Sequence, residues 1–383
     1  TFRRDTLRWF YREWYHPELM AVVAVGDFDK IQIEGLIQQH FSGLTSTEEA
    51  RERPVFPVPE HEETLFAIAS DPEATFTDVV IGSKLEVRSL GTLASYRQAL
   101  IESLYRSMLN DRMTELSLQI EAPFLFASAF EDRIVRPLDT HFLGAAAKPN
   151  GIEEALEAVL TEAERAKRHG FIASELSRRK EVLLTGFEQG FQERDKTRSG
   201  LFVREYIRHF LTGEPIPGIV YEYDMVQKLI PDITLEELNE VAQSWMTDQN
   251  RVVLVSSPEG PGVLIPSEDD LRAVIDRVTQ KEIRPYQEAL IDQPLVEVLP
   301  TAGEVVSERT VPELGVTEWT LANGVRVVLK PTDFQNNQIL FDSFSPGGHS
   351  LVPDADYIAA VTATDVMREG GLGDFDQTQL RRK

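Results

Sequence analysis

Leu7–Val25, LRWFYREWYHPELMAVVAV, and Leu238–Ser256, LNEVAQSWMTDQNRVVLVS, decide the fold, because they are one pattern written twice. At an offset of 231, Leu7 falls on Leu238, Phe10 on Val241 and Trp14 on Trp245, while Ala21–Ala24 falls on Val252–Val255. Each copy places apolar residues at helical spacing, breaks at a short turn, and continues as an apolar run of strand length. The pattern predicts helix, turn and buried strand in both places. Identity is low, so the likeness is one of pattern.

A second pair lies at an offset of 260. Thr64–Leu85, TLFAIASDPEATFTDVVIGSKL, matches Gly324–Ser345, GVRVVLKPTDFQNNQILFDSFS. Each reads as a strand, a polar turn and a second strand, Val79–Ile81 in one copy and Ile339–Phe341 in the other. Asp71–Pro72 and Pro331–Asp333 supply the breakers. Helices are expected after each hairpin, from about Leu93 and from about Asp354.

A unit therefore opens with a hairpin and closes with helix, turn and strand. On that basis residues 1–57 are the end of a first domain and 58–258 a complete second one. Residues 259–316 are a linker, and 317–383 the start of a third domain. The linker carries Gly260–Gly262, Pro266, Pro285, Pro294, Pro300 and Pro312, which predicts ordered but irregular chain, with a helix over 268–281. In the second domain strands are expected near 64–70, 76–87, 124–135, 139–147 and 251–256. Helices are expected near 93–118, 151–169, 174–195, 199–212 and 233–246. Asn150–Gly151 is a turn signal. Asp29 is placed to cap a helix over 30–41, and Gly43 to end it. The class predicted is α+β: a repeated two-layer unit with a mixed or antiparallel sheet covered by helices on one face.

Composition narrows the function classes. The 63 acidic and 39 basic residues give a formal charge of −24, which repels nucleic-acid phosphates. No run of 18 apolar residues exists, so no membrane span is expected. There is no cysteine, which removes disulfides and thiolate chemistry. Thr1 is not Met, and the first residues read as neither signal nor transit peptide, so the native start is expected upstream.

No complete catalytic set emerges. None of the seven histidines (His16, His40, His61, His141, His169, His209, His349) stands three or four residues from another on a helix. His61-Glu62-Glu63 is the one His–carboxylate cluster, and its consecutive side chains diverge. His16, beside Pro17, is expected to be exposed. There is no G-x-S-x-G, and Ser83 and Ser199 read as strand and loop residues. Glu369–Gly373 reads as a helix end and turn, not a phosphate loop. The basic runs at Arg165–Arg168 and Arg178–Lys180 read as solvated helix faces, and Phe10 with Trp14 as a core face.

Two stretches resemble a known family. Phe10-Tyr11, Tyr15–Met20 and Val22–Phe28 follow the pattern F-Y-x-x-x-Y-x-P-x-x-M-x-x-x-x-x-G-D of the insulinase, pitrilysin and processing-peptidase family, and Ile37, Phe41 and Gly43-Leu44 continue it. Thr320–Leu329 is similar to the L-x-N-G opening of a half in the same family. The resemblance implies four similar domains in two halves that enclose a chamber. It also implies a zinc held by an inverted H-x-x-E-H motif and a distant Glu, with the motif Glu activating water. In that family the motif precedes the F-Y stretch, so the zinc set is expected upstream of Thr1. The corresponding helix of the third domain, Ala359–Gly371, has no His. The Arg and Tyr that some members supply from a fourth domain would fall past Lys383.

The expectation is thus an internal fragment of a zinc endopeptidase that supplies chamber wall and linker. No residue is assigned as catalytic, cofactor-binding or metal-ligating, and no cofactor is expected in the fragment. The alternative is a non-catalytic homologue acting as scaffold or peptide-binding subunit. Expected partners are a peptide or unfolded-protein substrate of the parent, and a second copy or paired homologous subunit. A bacterial periplasmic location is favoured, with the cytoplasm as the alternative.

Overall fold

The computed structural model describes residues 2–44, 53–288, 293–334 and 338–382, without the side chains of 381 and 382. It divides into two compact units. One runs up to Ser117 and from Glu121 to Tyr286; the other comprises Leu118–Ile120 and the chain from Gln287 onward.

The first unit is built on a five-stranded sheet of β1 (Leu65–Asp71), β2 (Asp78–Glu86), β3 (Phe124–Val135), β4 (Leu138–Ala147) and β5 (Arg251–Pro258). Their order is β1-β5-β2-β4-β3, with β1 parallel to β5 and every other pairing antiparallel. The sheet is mixed, as predicted, but the predicted opening hairpin does not form. β5 lies between β1 and β2 and hydrogen-bonds to both. The turn after Asp71 brings the chain back past the width of a strand, and β5 fills the gap.

Strand register sorts the side chains onto two faces. Val79, Ile81, Ala129, Leu143, Ala145, Val253 and Val255 point into the core. Over them lie α3 (Leu93–Ser117), α4 (Ile152–His169) and α8 (Leu235–Ser244). Leu104, Tyr105, Met108 and Leu109 of α3, with Ala155, Leu156 and Val159 of α4, are all essentially inaccessible. Asn150 turns the chain from β4 into α4 with φ 60°. The acidic start and basic end of α4 both suit its dipole. A second tier holds α5 (Ala173–Gln192), packed on α3, and α7 (Ile219–Leu229), packed on α5; α6 (Ser199–Thr212) lies between them in sequence. No sequence signal had marked α7.

One buried cation joins this scaffold. Arg112 of α3 is 1% exposed and donates to both carboxylate oxygens of Glu175 at 2.7 and 2.8 Å, to Glu162 at 3.5 Å and to the Gly170 carbonyl at 3.2 Å. Phe171 and Tyr286 cover its two faces at 4.4 and 4.2 Å. Glu175 also accepts from the Ile172 amide at 2.9 Å, which fixes the start of α5.

The tract after β5, expected as ordered but irregular chain with one helix, packs onto the first unit as far as Tyr286. Asn150 donates to the Gly262 carbonyl and accepts from the Leu264 amide. The predicted helix forms as α9 (Glu268–Gln280), capped by Ser267 and Asp270. It buries Leu271, Val274, Ile275 and Val278 against α4. Arg168 donates to the carbonyls of Val278, Thr279 and Lys281, closing the helix end. The chain to Tyr286 is therefore integral to the first unit.

Toward the N-terminus, α1 (Arg4–Trp14) and α2 (Lys30–Phe41) form where expected, and Asp29 accepts from the Gln32 amide at 2.9 Å. Two expectations fail here. Ala21–Val25 forms no strand, because its backbone has no ladder partner among the described residues. Phe10 is 48% exposed and α1 buries none of its residues, so its apolar face is not a core face in this structure.

The second unit contains a three-stranded antiparallel sheet of β6 (Val305–Val311), β7 (Val316–Leu321) and β8 (Arg326–Leu329). β6 lies inside the tract predicted as irregular linker. Trp319 donates to Glu308 across the β6–β7 pair at 3.0 Å. Gly324, at φ 85°, makes the tight turn into β8. The expected strand Ile339–Phe341 is not formed; these side chains are exposed and no ladder supports them among the described residues. The turn before it, 335–337, lies outside the described residues. The helix expected from about Asp354 is present as α10 (Tyr357–Glu369), and α11 (Gln377–Arg382) follows.

Two outcomes test this packing. Arg112→Ala leaves Glu162 and Glu175 buried without their cation, and thermal melts should show a loss of about 3–5 kcal/mol. Separately, Arg97 holds the Glu237 carboxyl down to about 2, through a paired hydrogen bond that outweighs desolvation. A depressed carboxylate stabilises the fold above its unfolded value of 4.5 and stops doing so as pH falls toward about 2. Glu237→Gln should thus destabilise the chain at pH 7, and its difference from the parent should fade through that acid window in denaturant titrations.

Candidate functional site

The side of the five-stranded sheet opposite the helices is the first candidate surface. Leu65, Val80, Phe126, Phe130, Phe142 and Leu254 share that face by register. Four of them are substantially exposed: Leu65 50%, Phe126 61%, Phe130 41% and Leu254 41%. Phe130 stacks on Phe142 at 4.9 Å. Phe142 in turn lies over Gly82, where an added Cβ would come within 2.9 Å of the ring. Glycine at 82 is what lets the aromatic pair lie flat. The result is a smooth apolar surface at an unpaired edge, β3 being the terminal strand.

The second candidate is a polar cluster at the end of the core face. His141 of β4 is 6% exposed and stacks on Trp245 at 3.6 Å and 7°. Its Nδ1 lies 3.1 Å from the Trp245 carbonyl, and its Nε2 is buried with no hydrogen-bond partner. Burial lowers the His141 pKa and keeps the ring neutral. Glu131 faces it directly across the β3–β4 ladder, and Glu102 reaches in from α3. Arg88 grips Glu102, and Arg106 donates to Glu131.

The remaining sequence candidates are dispersed. His16 is buried, not exposed as expected, because its ring turns inward to pair with Glu18 at 2.5 Å. His61 points its Nδ1 at the Glu63 carbonyl, so His61-Glu62-Glu63 gathers no shared carboxylate site. His169 and His209 contact the carbonyls of Ile283 and Glu214. His40 ends α2, and His349 packs edge-on to Tyr357. Ser83 is fully buried beside Met246, and Ser199 opens α6.

The basic runs are not merely solvated faces. Arg165 donates to Glu162 and to the Arg284 carbonyl, and Arg168 closes α9. Arg179 pairs with Asp111, and Lys180 donates to the Pro231 carbonyl. Charge composition could not show that carbonyls from distant segments converge there.

The zinc motif implied by the resemblance has no counterpart in the helices that would carry it. α3 and α10 contain no histidine, so the residues present do not fit that metal set.

This architecture resembles a domain of the insulinase and pitrilysin class. Residues 1–183 match the Peptidase M16 inactive domain, and the chain is similar to proteins named as zinc proteases. Over 98% of its length it is 34% identical to the Arabidopsis thaliana protein named "Zinc protease PQQL-like", covering 36% of that protein. It is 22% identical to the "Probable zinc protease PqqL" of Escherichia coli K12, covering 40%. The crystal structure of the periplasmic protease PqqL from Escherichia coli matches all of this chain with a TM-score of 0.64 at 22% identity, over 42% of that structure. The chain thus spans well under half the length of these relatives, and the structural likeness is one of fold.

Proposed function

We propose that this chain is the internal part of a zinc-dependent endopeptidase, supplying a wall of the peptide-binding chamber and the tract between its halves. The catalytic zinc set would belong to another part of the parent. The observation that carries the proposal is the exposed apolar face of the five-stranded sheet, in a chain related to zinc proteases whose own helices lack the motif. An extended peptide laid on that face would bury apolar side chains against Phe126, Phe130 and Leu254, which is sequence-tolerant binding. No step of hydrolysis runs through this chain's residues. The alternative, a scaffold or peptide-binding homologue without activity, draws on the inactive-domain match over residues 1–183.

One measurement tests the chain itself and another, on the parent, separates the readings. The 383-residue chain should cleave no peptide, with or without added zinc. In the parent protein, Phe130→Ser with Leu254→Ser should raise KM for long peptides about tenfold while leaving the melting temperature near its original value, since both side chains are already half exposed. An unchanged KM would remove the face from the binding surface, and a parent that cleaves nothing would favour the scaffold reading.

A further inference from the structure

We propose that Glu102, Glu131 and His141 form a binding site for a divalent metal ion of the zinc class, separate from any H-x-x-E-H helix. A ring nitrogen of His141 and one carboxylate oxygen from each glutamate lie within 4.8 Å of one another. The histidine supplies the independent observation. The Trp245 carbonyl can only accept, so the 3.1 Å contact places the ring proton on Nδ1 and leaves the lone pair on Nε2. That lone pair sits on a side chain 94% buried, with no donor to meet it. A buried acceptor without a partner is costly unless an ion or water completes it. An imidazole whose other nitrogen is tied to a backbone carbonyl is how metal-binding histidines are oriented. The Trp245 stack holds the ring plane as well.

The donor set selects the ion. One imidazole nitrogen with two carboxylates suits zinc-class cations, whereas calcium and magnesium prefer oxygen alone. Zinc bonds of about 2.0–2.2 Å require neighbouring donors roughly 3.4 Å apart, so donors at the 4.8 Å limit must close by about 1.4 Å on binding. A fourth position would fall to water, entering past Glu131, whose side chain is 28% exposed.

Arg88 is the cation that neighbours these carboxylates. Its guanidinium holds both oxygens of Glu102 and stands 3.9 Å from Glu131. Gln98 also donates to Glu102 at 2.9 Å, and Arg106 to Glu131 at 2.5 Å. Arg88 is 40% exposed and can swing into solvent, while Arg106 keeps its own oxygen. Each carboxylate has lone pairs left for a metal. The sequence expectation of no metal ligand rested on helical and contiguous spacing, and these three residues come from α3, β3 and β4.

The test is zinc binding to the 383-residue chain, stripped with chelator and followed by equilibrium dialysis with metal analysis. The expected result is about one zinc per chain. Glu131→Gln should weaken binding at least about tenfold, the scale on which metal-site partners act, with the melting curve confirming a folded chain. Arg88→Ala should bind zinc more tightly than the unaltered chain, because the competing cation is gone. His141→Ala should abolish binding, and Glu131→Gln carries the test if that variant does not fold. Absence of stoichiometric zinc in both the unaltered chain and Arg88→Ala, or equal affinity in Glu131→Gln, would overturn the site.

Discussion

A single buried guanidinium organises the first unit. Burial by itself would lower the pKa of Arg112, yet the hydrogen bonds it donates to Glu175 and the charges of Glu175 and Glu162 hold it above its ordinary value. Because these partners come from α4 and α5, and Tyr286 closes the far face, α3 cannot shift without breaking all three connections. A buried ion pair is weak evidence for net stability. It does fix which helices meet and where the post-β5 tract must return.

The tract's return has a consequence for the proposed function. A linker between halves of a chamber would be expected to move, but residues 259–286 are tied down by Asn150, Arg165, Arg168 and His169. On the proposed reading, any hinge lies beyond Tyr286. The apolar sheet face then belongs to the unit whose helix-covered side is packed as a core.

Much of the first unit was legible because its elements carry strong local periodicity. β3, β4 and α3 to α5 fall within a few residues of expectation, each with a clear period or turn such as Asn150–Gly151. Pairing was not legible. β5 follows β2 by more than 160 residues yet inserts beside it, and no local pattern in Thr64–Leu85 could reveal that. The same limit explains Ala21–Val25 and Ile339–Phe341, which have strand composition but no ladder partner among the described residues. For the sites, spacing rules searched for histidines on one helix and so passed over His141. Its neighbours are set by cross-strand register and a helix packed above. The apolar face was likewise hidden, because alternation in β3 does not say which side a second layer will cover.

Mapping where a peptide meets the chain tests the functional account most directly. A long peptide carrying a photo-activatable group would be cross-linked to the 383-residue chain and the labelled residues read by mass spectrometry. The account predicts labels concentrated on β3 and β5 at and around Phe126, Phe130 and Leu254. Labels on the outward faces of α4 and α5 instead, with that sheet face untouched, would contradict it.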